Sequence, residues 1–75
     1  MAPVSPEFLA FLLTVDDGKR SKEWVDAAAQ YLFVNDVNTE LDLMGLYFSD
    51  LSLGEGCTAG QRACFRRAIA AANKK

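Results

Sequence analysis

Thr58 to Asn73 reads TAGQRACFRRAIAAAN, and this stretch decides the fold. Thr58 and Gln61 match a capping box, in which the Thr hydroxyl takes the backbone N–H of Gln61 while the Gln side chain returns to that of Thr58. Behind the cap, Gln61, Phe65, Ala68, Ile69 and Ala72 recur at helical spacings and share one face. The pattern predicts a helix to about Asn73, roughly 24 Å long at ~1.5 Å per residue.

Upstream the helix signals continue and strand signals do not recur. Gly54-Glu55-Gly56 breaks the chain before the last helix. Ser49 is the expected cap of a single turn, Asp50 to Leu53, and Asn38 or Thr39 of a short helix that runs through Met44 and stops at Gly45. Pieces this short must be held by packing. A longer helix precedes them, with Trp24, Ala28, Tyr31 and Leu32 three and four residues apart, closed by Asn35 and Asp36 and reached by a polar connector, Lys19 to Ser21. The first helix begins at Ser5-Pro6-Glu7, an N-cap, a first-turn proline and an acid near the positive helix end. It presents Phe8, Leu9, Phe11, Leu12 and Val15 and ends at Asp16-Asp17-Gly18. The expectation is an all-α, compact five-helix bundle with short middle helices and a long C-terminal one, in which Phe8, Leu12, Trp24, Tyr31, Leu46, Leu51, Phe65 and Ile69 converge.

Seventy-five residues make one domain, near the lower limit for a core without staples. The expected folded core spans about 5–73, read as a module of a longer protein. An apolar fraction of 51% and a charged fraction of 24% argue against disorder. Were Cys57 and Cys64 on one helix, their spacing would part them by roughly 10 Å, beyond the ~7 Å Cα limit of a disulfide. Free thiols and a reducing compartment are therefore expected, cytoplasmic or nuclear. No apolar run reaches the ~18 residues of a membrane span, so no membrane role is expected.

Chemistry is sparse. The chain has no histidine, its glycines never form a phosphate loop, and no Ser or Cys has a basic neighbour in sequence to activate it. No catalytic, cofactor or metal site is expected, and no enzyme. Ser52 lacks the preceding Asp and following apolar helix of a phosphopantetheine carrier.

Charge is more informative. Lys22 to Glu55 carries seven acids against one base, whereas Gly56 to Lys75 carries Arg62, Arg66, Arg67, Lys74 and Lys75 and no acid. The net charge of −2 hides this segregation. Arg62 and Arg66 share a flank of the last helix, and a cation in a first turn opposes the helix dipole at a cost of about 0.3–1 kcal/mol. One reading is a solvated arginine whose stem covers the core edge. The other is an anion-seeking surface whose complement is Asp36, Glu40, Asp42 and Asp50.

Asp50-Leu51, then Gly60-Gln61-Arg62, then Phe65…Ala68-Ile69 resembles the closing signature of the sterile alpha motif (SAM) family. Tyr31…Phe33, Asn35-Asp36-Val37 and Leu43…Leu46 look like that family's middle helices, and the likeness covers roughly Pro6 to Ala72. Here Leu53-Gly54 falls one position early, Phe11 replaces the usual tryptophan, and the Asp16–Lys22 connector is longer. The resemblance implies two partner-binding surfaces. The end-helix surface maps onto Ala59, Gly60, Gln61, Arg62 and Arg66, with Gly60 letting a neighbouring backbone approach. The mid-loop surface maps onto Asp36, Asn38, Glu40, Asp42 and Asp50.

The expected function is a protein–protein interaction module, a scaffold element that joins itself or another SAM-like domain head to tail. A heterologous contact of that kind builds an open filament when its rotation does not close. Reversing Arg62 or Asp42 is expected to abolish assembly. Two alternatives are an RNA-hairpin binder using Lys19, Arg20 and Lys22 with Arg62 and Arg66, and a monomeric adaptor for a specific partner. Net acidity and the want of an aromatic platform weigh against RNA.

Overall fold

Apolar stripes between caps give four α-helices, α1 (Pro6–Val15), α2 (Lys22–Val34), α3 (Glu40–Leu43) and α4 (Ala59–Asn73), with one 3₁₀ turn at Phe48–Asp50. The structure is a computed structural model that describes residues 4–74, among which there is no strand. Lys75 of the basic run lies outside the described residues. The long helices start on hydroxyl caps: Phe8 donates its N–H to Ser5 Oγ, and Trp24 donates to Ser21 Oγ. The α4 capping box forms as read, with Thr58 N–H to Gln61 Oε1 at 2.9 Å and Gln61 N–H to Thr58 Oγ1 at 3.2 Å.

The helix ends follow the same local chemistry. Asp17 and Gly18 both take positive φ, and Gly18 N–H returns to Leu13 O, closing α1. Asp36, at φ 63, closes α2 in the same way, with Val37 N–H donating to Leu32 O. Gly45, at φ 80, ends α3.

The middle departs from the expected five helices. The turn after α3 is 3₁₀, covers Phe48–Asp50 rather than Asp50 to Leu53, and is not capped by Ser49. Asp50 instead accepts the Tyr47 N–H at 3.0 Å, and Leu51 is already extended at ψ 132. The chain is held extended there from a distance: the Asn35 side-chain amide donates to Ser52 O at 3.1 Å and its oxygen accepts the Ser52 N–H at 2.8 Å. A backbone clasped on both polar groups has none left for a further turn.

One core joins these pieces. Phe8, Leu12, Val25, Ala28, Ala29, Leu32, Leu43, Phe65, Ala68 and Ala72 are buried, together with Val37, Leu53 and Cys57 from the connections. Of the expected core, Phe8, Leu12 and Phe65 are buried outright, whereas Trp24, Tyr31, Leu46, Leu51 and Ile69 pack against it half-buried. Four alanines, Ala28 and Ala29 of α2 and Ala68 and Ala72 of α4, occupy fully buried positions. Helix α4 touches α1, α3 and the 3₁₀ turn, and α1 packs on α2. The radius of gyration, 11.0 Å, is about what a compact chain of this length should have. No described helix is long and apolar enough to cross a membrane.

Candidate functional site: two charged surfaces

Most of the charges at both surfaces already have work inside the molecule. Arg62 leaves the first turn of α4 and reaches backward, its Nη2 donating to Gly54 O at 2.7 Å and its Nε to Cys57 O at 3.3 Å. It ties the Gly54–Cys57 bend to the helix, which accounts for a cation at the positive helix end. Arg66 is exposed, with its guanidinium 4.3 Å from the centre of the Phe48 ring. Arg67 is paired with Asp16 at 2.6 Å.

The remaining end-helix residues divide. Ala59 is exposed, and Gln61 is buried by its capping role. Gly60 faces its own chain: a methyl added there would lie 3.6 Å from Arg20 Nη2 and 3.9 Å from Trp24 Cζ2, ordinary contacts. Its missing side chain thus borders α2 rather than open solvent.

On the acidic side, Asp42 closes a capping box on α3. Its Oδ2 accepts the Asn38 N–H at 3.0 Å and the Thr39 N–H at 3.1 Å, while the Asp42 N–H donates to Thr39 Oγ1 at 3.3 Å. Asp50 serves the 3₁₀ turn, as described. Asn38 is half-buried and Glu40 stands in the first turn of α3. Asp36 is exposed beyond α2. Reversing Arg62 or Asp42 would therefore disturb the fold as well as any interface.

The hydrogen bond from the Asn38 backbone, then that from the Thr39 side chain, holds the Asp42 carboxyl below its ordinary range. A folded-state pKa below the unfolded one stabilises above the unfolded value and loses that contribution as pH falls through the folded one. The Asp42 carboxyl carbon should accordingly titrate by NMR with a midpoint below the ordinary value of an aspartate. A midpoint at or above that value would contradict the cap.

Two features of this region were not legible in the sequence. Asn73 locks the far end of α4 to α3: its amide donates to Leu43 O at 3.0 Å, and its oxygen accepts the Gly45 N–H at 2.7 Å. Leu41, Met44 and Tyr47 are exposed among the acids, at 72%, 50% and 74%. Their positions on a four-residue helix and its exit were the only signal, because so short an element has no periodicity to assign a face.

Glu40 and Asp42 on α3 thus lie toward the opposite end of α4 from Arg62, whereas Asp50, in the turn whose Phe48 stacks on Arg66, lies nearer the end-helix group. Arg62 is in the first turn of α4 and α3 is fastened at Asn73, about 16 Å along the axis at ~1.5 Å per residue. Lys74 follows Asn73, so the basic run is not wholly at one end. The arginines proposed for RNA are engaged within the molecule: Arg20 lies over the Trp24 ring at 4.1 Å and faces Asp16 at 3.5 Å, Arg62 donates to carbonyls, and Arg66 is on Phe48.

Both cysteines are free and buried. Cys57 precedes the Thr58 cap, outside the helix, so the helical spacing does not apply to the pair. Burial, and next the Asp16 carboxylate, push the Cys64 thiol up to about 11, and burial raises that of Cys57. Neither is poised as a thiolate nucleophile.

No protein-family model, curated protein or solved structure matches this chain.

Proposed function

We propose that the protein is a SAM-like interaction module whose copies, or whose relatives of the same design, associate head to tail. The carrying observation is the separation of α3, which bears Glu40 and Asp42 and is fixed at one end of α4 by Asn73, from Arg62 in the first turn of α4; Asp50 lies nearer Arg66, whose guanidinium stacks on Phe48 of the same turn. Such separation leaves α3 free when a neighbour occupies the first turn of α4. Exposed ion pairs contribute only ~0.2–1 kcal/mol each, so charge would orient the contact and apolar area would hold it. Leu41, Met44 and Tyr47 are exposed beside Asp42 and Asp50 and supply that area. On this reading, the apolar residues seat against Ala59 and the Arg66 flank of the next copy, ringed by opposite charge.

The test uses Arg66→Glu and Asp36→Lys, because neither Arg66 nor Asp36 caps a helix with its side chain. Lysine at the positive φ of residue 36 costs about 1–2 kcal/mol, so folding is checked by circular dichroism. In sedimentation over a concentration series, the wild type should associate and do so less as salt rises. Each variant alone should associate less, and an equimolar mixture should recover a heterodimer through the two intact surfaces. Folded variants that stay monomeric when mixed, beside an associating wild type, would sink the head-to-tail geometry.

A further inference from the structure

The face of α2 turned away from Ala28, Ala29 and Leu32 carries an apolar groove of about 220 Å³ lined by Gln30, Tyr31 and Val34. Sites that enclose a whole small ligand take about 300–1,000 Å³, so this groove has room for a side chain and not for a cofactor. Val34 stands 76% exposed at its edge. The other wall is set by close approach. A methyl on Gly56 would lie 3.0 Å from the Tyr31 hydroxyl oxygen, tighter than ordinary contact, so glycine at this bend lets the ring lie where it does. The backbone beneath is pinned as well: the Asn35 amide donates to Tyr31 O at 2.8 Å while the same side chain clasps both polar groups of Ser52.

The charge around the groove restricts what fills it. Helical spacing sets Glu23, Asp26 and Ala27 on one stripe with Gln30, Tyr31 and Val34. Asp36 follows the end of α2, and Glu55 precedes the glycine that the Tyr31 hydroxyl faces. Against these four carboxylates stands Lys22, and Arg62 is held on the carbonyls of the Gly54–Cys57 bend. A nucleic acid or an anionic membrane would be repelled. A second copy of the chain lacks the right anchor. Among the described residues, its exposed large apolar side chains are Val34, Leu41, Met44 and Tyr47, all within the acidic stretch from Lys22 to Glu55, so none stands among cations. We propose that the groove docks a basic peptide segment of another protein, seating one aliphatic side chain over Tyr31 and Val34 while flanking lysines or arginines meet the acidic rim.

This docking does not depend on head-to-tail association, and its test is run at a concentration where sedimentation shows a monomer. Backbone amide shifts would be followed by NMR as a capped pentapeptide, leucine between two lysines on each side, is added. Saturable shifts should centre on Ala27, Gln30, Tyr31 and Val34. The same peptide with alanine in place of leucine should bind at least about tenfold more weakly, because the anchor is lost. With glutamates in place of the lysines it should not bind.

Val34→Ser removes apolar surface at a position the core does not use, and Glu23→Lys reverses one rim charge. Each should keep the wild-type melting temperature within a few degrees and weaken binding about three- to tenfold, and rising salt should weaken the wild-type complex. Equal binding of the leucine and alanine peptides would reduce the contact to charge alone and overturn the proposal. So would shifts centred on Leu41 and Met44, the absence of saturable shifts, or unchanged affinity in folded Val34→Ser.

Discussion

A Phe65→Ala variant is expected to lose about 3–5 kcal/mol of stability, most of what a domain this small has. Phe65 is fully buried on α4, in the same cluster as Phe8 and Leu12 of α1, Leu32 of α2 and Leu43 of α3. Truncation therefore removes the ring's own burial and leaves a cavity that several elements line. Four of the buried residues in that cluster, Ala28, Ala29, Ala68 and Ala72, have only a methyl and cannot extend to fill it. Urea denaturation measures the loss directly. A midpoint like that of the wild type would mean that the ring is not in the core.

The second large effect is expected at Arg62. Replacing it by Glu removes two charge-assisted hydrogen bonds, to Gly54 O and Cys57 O, and sets a carboxylate against those carbonyls. The expected loss is about 1–3 kcal/mol, toward the lower end because the Gly54 contact is exposed. The carboxylate gains from the positive end of α4, about 0.3–1 kcal/mol, which offsets part of the loss. Arg62→Gln, which keeps a donor without the charge, should fall between the two. If Arg62→Glu melted at the wild-type temperature, the bend from Gly54 to Cys57 would not depend on this side chain. The same variant is a poor probe of association, since its effects on folding and on the surface cannot be separated; Arg66 is the cleaner choice.

The long elements were legible because their signals are local. Ser5, Thr58 and Gln61 act on N–H groups three residues away, and the stripe through Phe65 and Ala68 needs only the helical period. The middle of the chain was less legible because its conformation is set from afar. Ser52 is extended because of Asn35, and α3 is fastened because of Asn73, contacts 17 and 30 residues apart in sequence. No window short enough to read a turn contains both partners. The charged surfaces were legible as composition and not as roles: the residue types that make Asp42 and Asp50 acidic candidates also make them helix caps. Helical spacing puts Arg62 on an outward flank, and the loop that it binds shows in the sequence only as a glycine-rich break.

The bond between Asn73 and α3 also sets an order of events while the chain is being made. A four-residue helix has no stability of its own, and its tie to the rest of the molecule is supplied 28 residues after Gly45. At about 5–20 residues per second, the ribosome leaves the acidic segment untethered for roughly 1–6 s after Gly45 is added. Until α4 folds, Leu41 and Met44 stand on chain that Asn73 has not yet fastened. Their acidic neighbours Glu40 and Asp42 keep that stretch solvated until α4 folds and Asn73 fastens it, and the same acids flank Leu41 and Met44 where they remain exposed afterwards.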